Sequence, residues 1–198
     1  MMNLMLSVNV LHGDFLKETL IRAGINTDNL IQDEKYFTTL AFVSLKENGE
    51  REFVFARKPG ADTNLCMKEI DPEILENTRV FHVGSLSLTD DPSRTATYEA
   101  INIARNSGAV ISYDPNYRAA LWSDPETAQL RMQSLIPYVD MMKISDEETS
   151  LLTPYQDPEE AIQYLLRQGV HLVAVTLGRD GALIGNETQA YLGVPLGL

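Results

Sequence analysis

The sequence predicts an α/β protein built on a parallel sheet, and three observations lead to this prediction. Short apolar runs alternate with helical segments from residue 79 onwards. Such alternation is typical of βαβ units with right-handed crossovers. Polar clusters follow three of the apolar runs directly, at residues 114–118, 143–148 and 176–181. Ligands bind outside the carboxyl ends of parallel strands, so these clusters predict one ligand crevice.

The first predicted element is an amphipathic helix over residues 14–23. Its apolar residues Phe15, Leu16, Leu20 and Ile21 recur at helical spacing, and Gly24 stands where a helix ends.

A β-hairpin is predicted next, from two runs rich in β-branched and aromatic residues at 36–45 and 51–57. Asn48-Gly49 between them is a strong hairpin signal, because both residues of a type I′ turn need positive φ. A two-stranded hairpin is marginal alone. We therefore expect it to lie on the main domain, on a ligand, or on the same hairpin of a second subunit.

The remaining chain predicts four strands separated by three helices and a final short hairpin. Asp-Pro opens two of the helices, and a glycine ends two of them. The predicted strands are 79–84, 109–114, 139–144 and 171–177, the helices about 91–106, 125–136 and 157–169, and the hairpin 182–185 with 189–192.

Composition excludes several classes of protein. The 198 residues are 44% apolar, which suffices for one domain with a core. With 28 acidic and 16 basic residues the formal charge is −12, so nucleic acid and anionic membranes are not expected as partners. A nucleotide substrate is compatible, because Mg²⁺ and local cations neutralise a triphosphate. Cys66 is the only cysteine, which fits a reducing cytoplasm, and the apolar start is a poor signal peptide.

Two of the polar clusters have both a structural and a functional interpretation. Asp114 and Pro115 are typical of a turn, whereas Arg118 offers planar donors to phosphate or sugar oxygens. In the run 146–148, the acidic residues suit a helix N-terminus capped by Ser145. Alternatively, Glu148 faces the crevice and holds Mg²⁺ through water.

The third cluster, Thr176 to Gly181, is either a tight turn between strands or a nucleotide-binding turn. The sequence contains neither the P-loop motif nor the Gly-x-Gly-x-x-Gly dinucleotide motif. The three histidines have no metal-ligand spacing, and Cys66 is interpreted as a packing residue rather than a nucleophile.

Six segments, in this order, carry a resemblance to a known family. Together they cover the chain from about residue 13 to about residue 192. They are 38–43, 49–53 with 57–62, 81–85, 113–118 with 121–122, 143–148 and 175–182. On these segments the chain resembles bacterial fructokinases of the ribokinase (pfkB) family of carbohydrate kinases.

The resemblance implies a ribokinase-like three-layer αβα sandwich with a parallel central sheet and a β-hairpin lid, incomplete at both termini. Residues 1–198 would form a single partial kinase domain, with the lid at about 36–57 before a βαβ core at 79–198. It also implies ATP-dependent phosphorylation of a sugar hydroxyl, fructose to fructose 6-phosphate, with ATP and Mg²⁺ as cofactors. The lid hairpin would pair two subunits into a homodimer.

The resemblance assigns the candidate site residues position by position. Phe55 and Arg57 match lid positions that face the sugar, and Asn116 and Arg118 match a pair that reaches sugar or phosphate oxygens. Ser145 and Glu148 fall on the family's Asn-x-x-Glu motif, in which Glu148 would organise Mg²⁺; here Ser replaces Asn. The remaining nucleotide-binding positions are Thr176, Gly178 and Gly181.

Two family segments have no counterpart in the sequence: the N-terminal Gly-Gly sugar motif and the later Gly-Ala-Gly-Asp segment, which carries the catalytic base. No catalytic residue is therefore assigned, and weak or absent turnover is expected. Three hypotheses remain. The chain is a truncated fructokinase-like enzyme, which we favour; a non-catalytic sugar- or nucleotide-binding remnant or lid-mediated interaction module; or a kinase whose acceptor is a nucleoside, a keto-deoxy sugar acid or an aminoimidazole riboside.

Overall fold

The computed structural model describes residues 6–45, 51–57 and 60–193. The chain divides into two compact units: the first comprises Met1–Glu73 and Ser87–Ala100, and the second Ile74–Leu86 and Ile101–Leu198. The expectation of a single domain over 1–198 stays a prediction.

The first unit begins with a small parallel sheet that the sequence analysis did not predict. Strand β1 (Leu6–Asn9) leads directly into helix α1 (Val10–Arg22), and β1 pairs with β2 (Leu30–Asp33). Helix α1 therefore starts four residues before the predicted position. Gly24 ends it as predicted, with φ of 75° and its N–H bonded to the Ile21 carbonyl at 2.9 Å.

The predicted hairpin is present in the first unit. Strands β3 (Leu40–Leu45) and β4 (Arg51–Ala56) pair antiparallel over their whole length. The turn at Asn48-Gly49 lies outside the described residues. Residues 41–45 of β3 are all exposed, whereas Phe53 and Phe55 of β4 are half-buried, so β3 buries little of its apolar surface.

The other helices and strands follow the predicted alternation closely. Two short helices, over residues 72–76 and 149–152, were not predicted. The elements are α2 (Pro72–Glu76), β5 (Val80–Gly84), α3 (Ser93–Asn106), β6 (Val110–Asp114), α4 (Pro125–Gln133), β7 (Met141–Ser145), α5 (Thr149–Leu152), α6 (Pro158–Arg167), β8 (Leu172–Thr176), β9 (Ala182–Asn186) and β10 (Ala190–Gly193).

Local capping explains where α4 and α6 begin. Asp124 accepts the Thr127 N–H at 2.7 Å, and this backbone hydrogen bond lowers the pKa of the Asp124 carboxyl. Asp157 accepts two N–H groups at the start of α6 in the same way. Helix α4 ends at Gln133, earlier than predicted, and a 3₁₀ turn over Ile136–Tyr138 replaces its predicted last turn.

Six strands of the second unit form one mixed sheet in the order β10-β9-β8-β7-β6-β5. Strands β5 to β8 are parallel neighbours, and β9 and β10 continue the sheet antiparallel. The predicted parallel core and final hairpin are both confirmed, and the final hairpin extends the edge of the sheet.

One face of this sheet forms the core of the second unit. The side chains that point to this face from β6, β7 and β8 are at most 3% exposed. Helix α6 packs against β8 and β9 with Ala161, Ile162 and Leu165 buried. The two connections from β6 to β8 run in the same direction along the sheet, so right-handed crossovers place α4 and α6 on one face. The buried strand residues are Ile111, Tyr113, Met142, Ile144, Val173 and Val175.

The opposite face of the sheet is partly exposed. Val80 is 54% exposed, Val110 37%, Met141 38% and Ile184 40%. No helix among the described residues is long and apolar enough to cross a membrane.

Candidate functional site at the carboxyl edge of the sheet

The structure brings the three polar clusters of the sequence to one edge of the second unit. In the sheet register, Gly84 at the end of β5 lies beside Asp114 at the end of β6, and Ser145 at the end of β7 lies beside Thr176 at the end of β8. The clusters are therefore neighbours at the carboxyl ends of parallel strands, where ligands of α/β sheets bind.

The loop after β6, residues 114–118, is held in a fixed conformation and is called the acceptor loop below. Asp114 is paired with Lys143 at 3.2 Å, and its other carboxylate oxygen accepts the Asn116 N–H at 3.1 Å. The Ser85 N–H donates to the Pro115 carbonyl at 3.1 Å. Asn116 has φ of 47°, a left-handed conformation that asparagine tolerates better than most residues.

Asn116 and Arg118, the two candidates for contact with an acceptor, are both on this loop. Asn116 is exposed, whereas Arg118 is half-buried and its Nη1 donates to the Tyr117 carbonyl at 2.8 Å. A 3₁₀ turn that begins after Arg118 leads to Trp122, which is 8% exposed and whose indole N–H is buried without a hydrogen-bond partner among the described residues. The turn orders the chain immediately after Arg118.

Glu148 is 6% exposed and connects two strand ends. Its Oε2 accepts the Ser145 N–H at 2.8 Å and the Ser145 hydroxyl at 3.0 Å. Ser145 stands at the predicted N-cap position, and these bonds run from the cap residue back to Glu148, as in a capping box. Its Oε1 accepts the Tyr117 N–H at 2.7 Å, a contact that the sequence analysis missed. A residue pattern does not report a backbone donor that lies 31 positions away.

The hydrogen bonds of Glu148 limit how it could hold a cation. A carboxylate has about four acceptor positions, and three donors use three of them here. Among the described residues, no group of three or more His, Cys, Asp or Glu could hold a metal ion. A closed protein cage is therefore absent from the described part of the chain. One acceptor position of Glu148 remains, which suffices for a contact with a hydrated cation.

The turn after β8 depends on its two glycines. The Leu177 N–H donates to the Gly181 carbonyl at 2.8 Å. Gly178 has φ of 57°, and Gly181 has φ of 107° with ψ of −140°, a region that only glycine occupies readily. The Thr176 hydroxyl donates to the Ile144 carbonyl at 3.3 Å, which ties the turn to β7.

The two remaining candidates, Phe55 and Arg57, belong to the first unit. Phe55 is half-buried and its ring stacks on Phe53, with centroids 6.0 Å apart and an interplanar angle of 10°. Arg57 is 6% exposed, and its Nε and Nη2 both donate to Asp62 Oδ2, at 2.8 and 2.6 Å. Its Nη1 donates to the Thr89 hydroxyl at 2.9 Å.

Asp62 is the centre of this second polar cluster, although the sequence analysis gave it no role. Besides Arg57 it accepts the Thr39 hydroxyl at 2.6 Å. A Cβ on Gly60 would lie 2.6 Å from Asp62 Oδ1 and 2.7 Å from the Arg57 carbonyl. The segment is thus packed around the ion pair, and the arginine anchors the end of β4. The sequence feature that could have indicated this ion pair is the five-residue spacing between Arg57 and Asp62 within residues 57–62.

Cys66 does not have the environment of a nucleophile. Burial, followed by the charge of Glu69, raises the pKa of its thiol, and its Sγ donates to the Asn64 carbonyl at 3.3 Å. A raised pKa lowers the fraction of reactive thiolate. This agrees with its interpretation as a packing residue.

Comparison with known proteins gives the same family as the motifs. The chain matches the pfkB family carbohydrate kinase pattern over residues 10–195. Fructokinase-1 of Zea mays is 39% identical over 170 residues, which is 85% of this chain and 53% of that protein. The chain thus spans about half the length of the plant fructokinases that it matches.

Solved bacterial structures show the same fold. The fructokinase from Vibrio cholerae O395, solved with fructose, ADP and calcium ion bound, has a TM-score of 0.87 at 32% identity, covering 97% of this chain and 62% of that one. The fructokinase from Xylella fastidiosa with bound ATP has a TM-score of 0.85 at 29% identity, covering 96% and 61%. The fold is therefore ribokinase-like, and this chain belongs to the pfkB family of carbohydrate kinases.

Proposed function

We propose that this chain is part of a fructokinase, which transfers the terminal phosphoryl group of ATP to a hydroxyl of fructose. The observation that carries the proposal is the match to fructokinases over most of the chain, together with a bacterial neighbour of the same fold solved with fructose and ADP. The edge formed by β6, β7 and β8 supplies polar groups of the kinds that such a reaction needs.

In this proposal the acceptor loop contacts the sugar. Asn116 offers an exposed amide, and Arg118 offers a guanidinium whose planar donors match sugar or phosphate oxygens. Phe55 and Arg57 are assigned to the sugar side by resemblance alone. The Arg57 hydrogen bonds to Asp62 and Thr89 support a positioning role for Arg57.

The nucleotide would be bound by the ends of β7 and β8. Ser145, Thr176, Gly178 and Gly181 are the proposed binding residues. Gly178 and Gly181 have positive φ, and turns of this kind can present backbone N–H groups to phosphates; Ser145 and Thr176 carry hydroxyls at the adjacent strand ends. Glu148 would hold Mg²⁺ through water. When bound, Mg²⁺ neutralises charge on the phosphates.

Thermal melting of the purified 198-residue chain tests the proposal. We expect the midpoint to rise with Mg²⁺ and ATP, and further with fructose, since a ligand that binds only the folded state stabilises it. A ligand at 100 times its Kd adds about 2.7 kcal/mol. Glucose at the same concentration serves as the control sugar. A cooperative melt that none of these ligands shifts would contradict the proposal.

Turnover is measured separately, as fructose-dependent release of ADP. The sequence-based expectation is weak or absent turnover by this chain. A rate equal to that of ordinary sugar kinases would contradict that expectation and leave the proposed substrate intact.

One observation favours the alternative of a lid-mediated interaction module. The hairpin exposes apolar side chains on both faces: Phe42 is 59% and Val54 62% exposed on one face, and Val43 53% and Leu45 74% on the other. An exposed apolar patch of this kind is typical of an interaction surface. We propose that this surface pairs the hairpins of two copies into a homodimer. Light scattering of the chain at several concentrations tests this proposal, and a monomer at all of them would contradict it.

A further inference from the structure

We infer that Glu148 is a positioning residue that sets the conformation of the acceptor loop through the Tyr117 N–H. The role goes beyond that of a cap or a cation ligand, because it joins the ends of two neighbouring strands. It rests on the proposed function only in taking the loop to contact the sugar.

The two oxygens of the Glu148 carboxylate bind the ends of two different strands. Oε2 accepts two donors of Ser145, which ends β7, and Oε1 accepts the Tyr117 N–H, which follows β6. Hydrogen bonds to a buried carboxylate are short and strong, and all three distances are 3.0 Å or less. The carboxylate therefore connects the acceptor loop to the end of β7.

The acceptor loop is also held on its other side, next to β5. The Ser85 N–H, after β5, donates to the Pro115 carbonyl at 3.1 Å. Asn116 lies between the two fixed points and is the one non-glycine residue with positive φ in the described part of the chain. Asparagine tolerates this conformation, and the Asp114 carboxylate accepts the Asn116 N–H itself at 3.1 Å. The Glu148 and Ser85 contacts fix the chain on either side of this bond.

The contact between Glu148 and Tyr117 also affects Arg118. Its Nη1 donates to the carbonyl of Tyr117, whose N–H Glu148 accepts. Loss of the Glu148 contact would therefore displace both side chains proposed to contact the acceptor. Because Glu148 is also the candidate contact for a hydrated cation, the residue connects the nucleotide side of the edge to the acceptor side.

Glu148→Gln is a sharp test because a carboxylate is acceptor-only, whereas an amide has one oxygen and one NH₂ group. Whichever way the glutamine is turned, its NH₂ faces either the Tyr117 N–H or the Ser145 donors. The substitution conserves the size of the side chain, but it loses a hydrogen bond either to Tyr117 or to Ser145. Glu147→Gln is the matched control, since Glu147 is exposed and loses the same charge one residue away.

The first measurement is amide hydrogen exchange of the full 198-residue chain without ligands. In the parent protein, we expect the Tyr117 N–H to exchange about 100-fold more slowly than an unprotected amide, although it lies in a loop. Exchange at the unprotected rate would overturn the inference without any variant, so the result does not depend on whether Glu148→Gln folds.

In Glu148→Ala, which removes both carboxylate oxygens, we expect exchange at Tyr117 to accelerate about tenfold or more, which corresponds to the loss of one hydrogen bond to a charged group. In Glu148→Gln, the N–H that faces the NH₂ group, that of Tyr117 or that of Ser145, should show the same change. Core amides of β6 and β8 should keep their rates, and Glu147→Gln should leave Tyr117 unchanged. Unchanged exchange at Tyr117 in Glu148→Ala would overturn the inference.

The second measurement is the fructose affinity, which a purely structural role would leave unchanged in the folded protein. We expect about a tenfold loss in Glu148→Ala and none in Glu147→Gln. Equal fructose affinity in the two variants would overturn the role in acceptor binding. If the parent chain binds no fructose, the proposed function fails, and the exchange rates alone decide the contact between Glu148 and Tyr117.

Discussion

The hairpin β3–β4 and the six-stranded sheet use the same kinds of residue in different ways. Along β6, β7 and β8 every second side chain is buried on the packed face, down to 0% exposure at Ile111 and Ile144. Along the hairpin, residues 41–45 of β3 are exposed on both faces, Phe53 and Phe55 of β4 are half-buried, and the buried polar group is Arg57, directly after β4. The comparison teaches that the sheet is stabilised by its own core, whereas the hairpin is held mainly at one end.

The largest expected effect comes from the sheet. Ile144→Ala removes a fully buried side chain from the middle of β7. We expect it to lower the free energy of unfolding by about 4 kcal/mol, because the substitution loses apolar burial and leaves a cavity. Denaturation in urea measures this. Ile184→Ala, at a 40% exposed position on the opposite face, is the control, and a similar loss there would break the distinction between the two faces.

The next effect is at the anchor of the hairpin. Asp62→Ala leaves the Arg57 guanidinium, which is 6% exposed, without its carboxylate. We expect a loss of about 3 kcal/mol, since breaking a buried ion pair strands the remaining charge. The loss should appear as faster amide exchange in β3 and β4, with β6 and β8 unchanged. Asp91→Ala, which removes an exposed partner of Arg94, is the control. If Asp62→Ala left the hairpin amides unchanged, the anchor would have no such role.

A smaller effect is expected at the turn after β8. Gly181→Ala forces a Cβ into a backbone conformation with φ of 107°, and we expect a loss of about 2 kcal/mol. Gly178→Ala, at φ of 57° with open space around the added Cβ, should cost about 1 kcal/mol. Thermal melting of both variants gives the order of these losses, and the reverse order would show that the turn geometry is not the cause.

The smallest effect on stability is expected on the hairpin surface. Phe42→Ser, at a 59% exposed position, should change the free energy of unfolding of a monomer by about 0.5 kcal/mol or less. The same substitution should weaken the proposed homodimer, which light scattering detects. A large loss of stability at concentrations where the chain is monomeric would mean that the hairpin is buried after all and would remove the contrast with the sheet.

The sequence predicted the strands of the main sheet, their helices and the polar edge because these features have local signals. The alternation of apolar runs and helices located β5 to β8, and Gly24 and Asp157 marked a helix end and a helix start. The pair β1 and β2 was missed, because four-residue strands carry too little periodicity to be recognised. The role of Asp62 was missed because its partner Thr39 lies 23 positions away in the sequence.

Local sequence signals were enough to predict the α/β class, the order of the helices and strands, the family, and the polar residues at the carboxyl edge of the sheet. These follow from periodicity, turn chemistry and motif spelling, which are properties of short segments. Only the tertiary structure decided that Arg57 is anchored by Asp62 and Thr89 and that Glu148 accepts the Tyr117 N–H. The physical reason is that a hydrogen bond depends on the position and direction of both groups, and folding alone brings together groups that lie 31 residues apart.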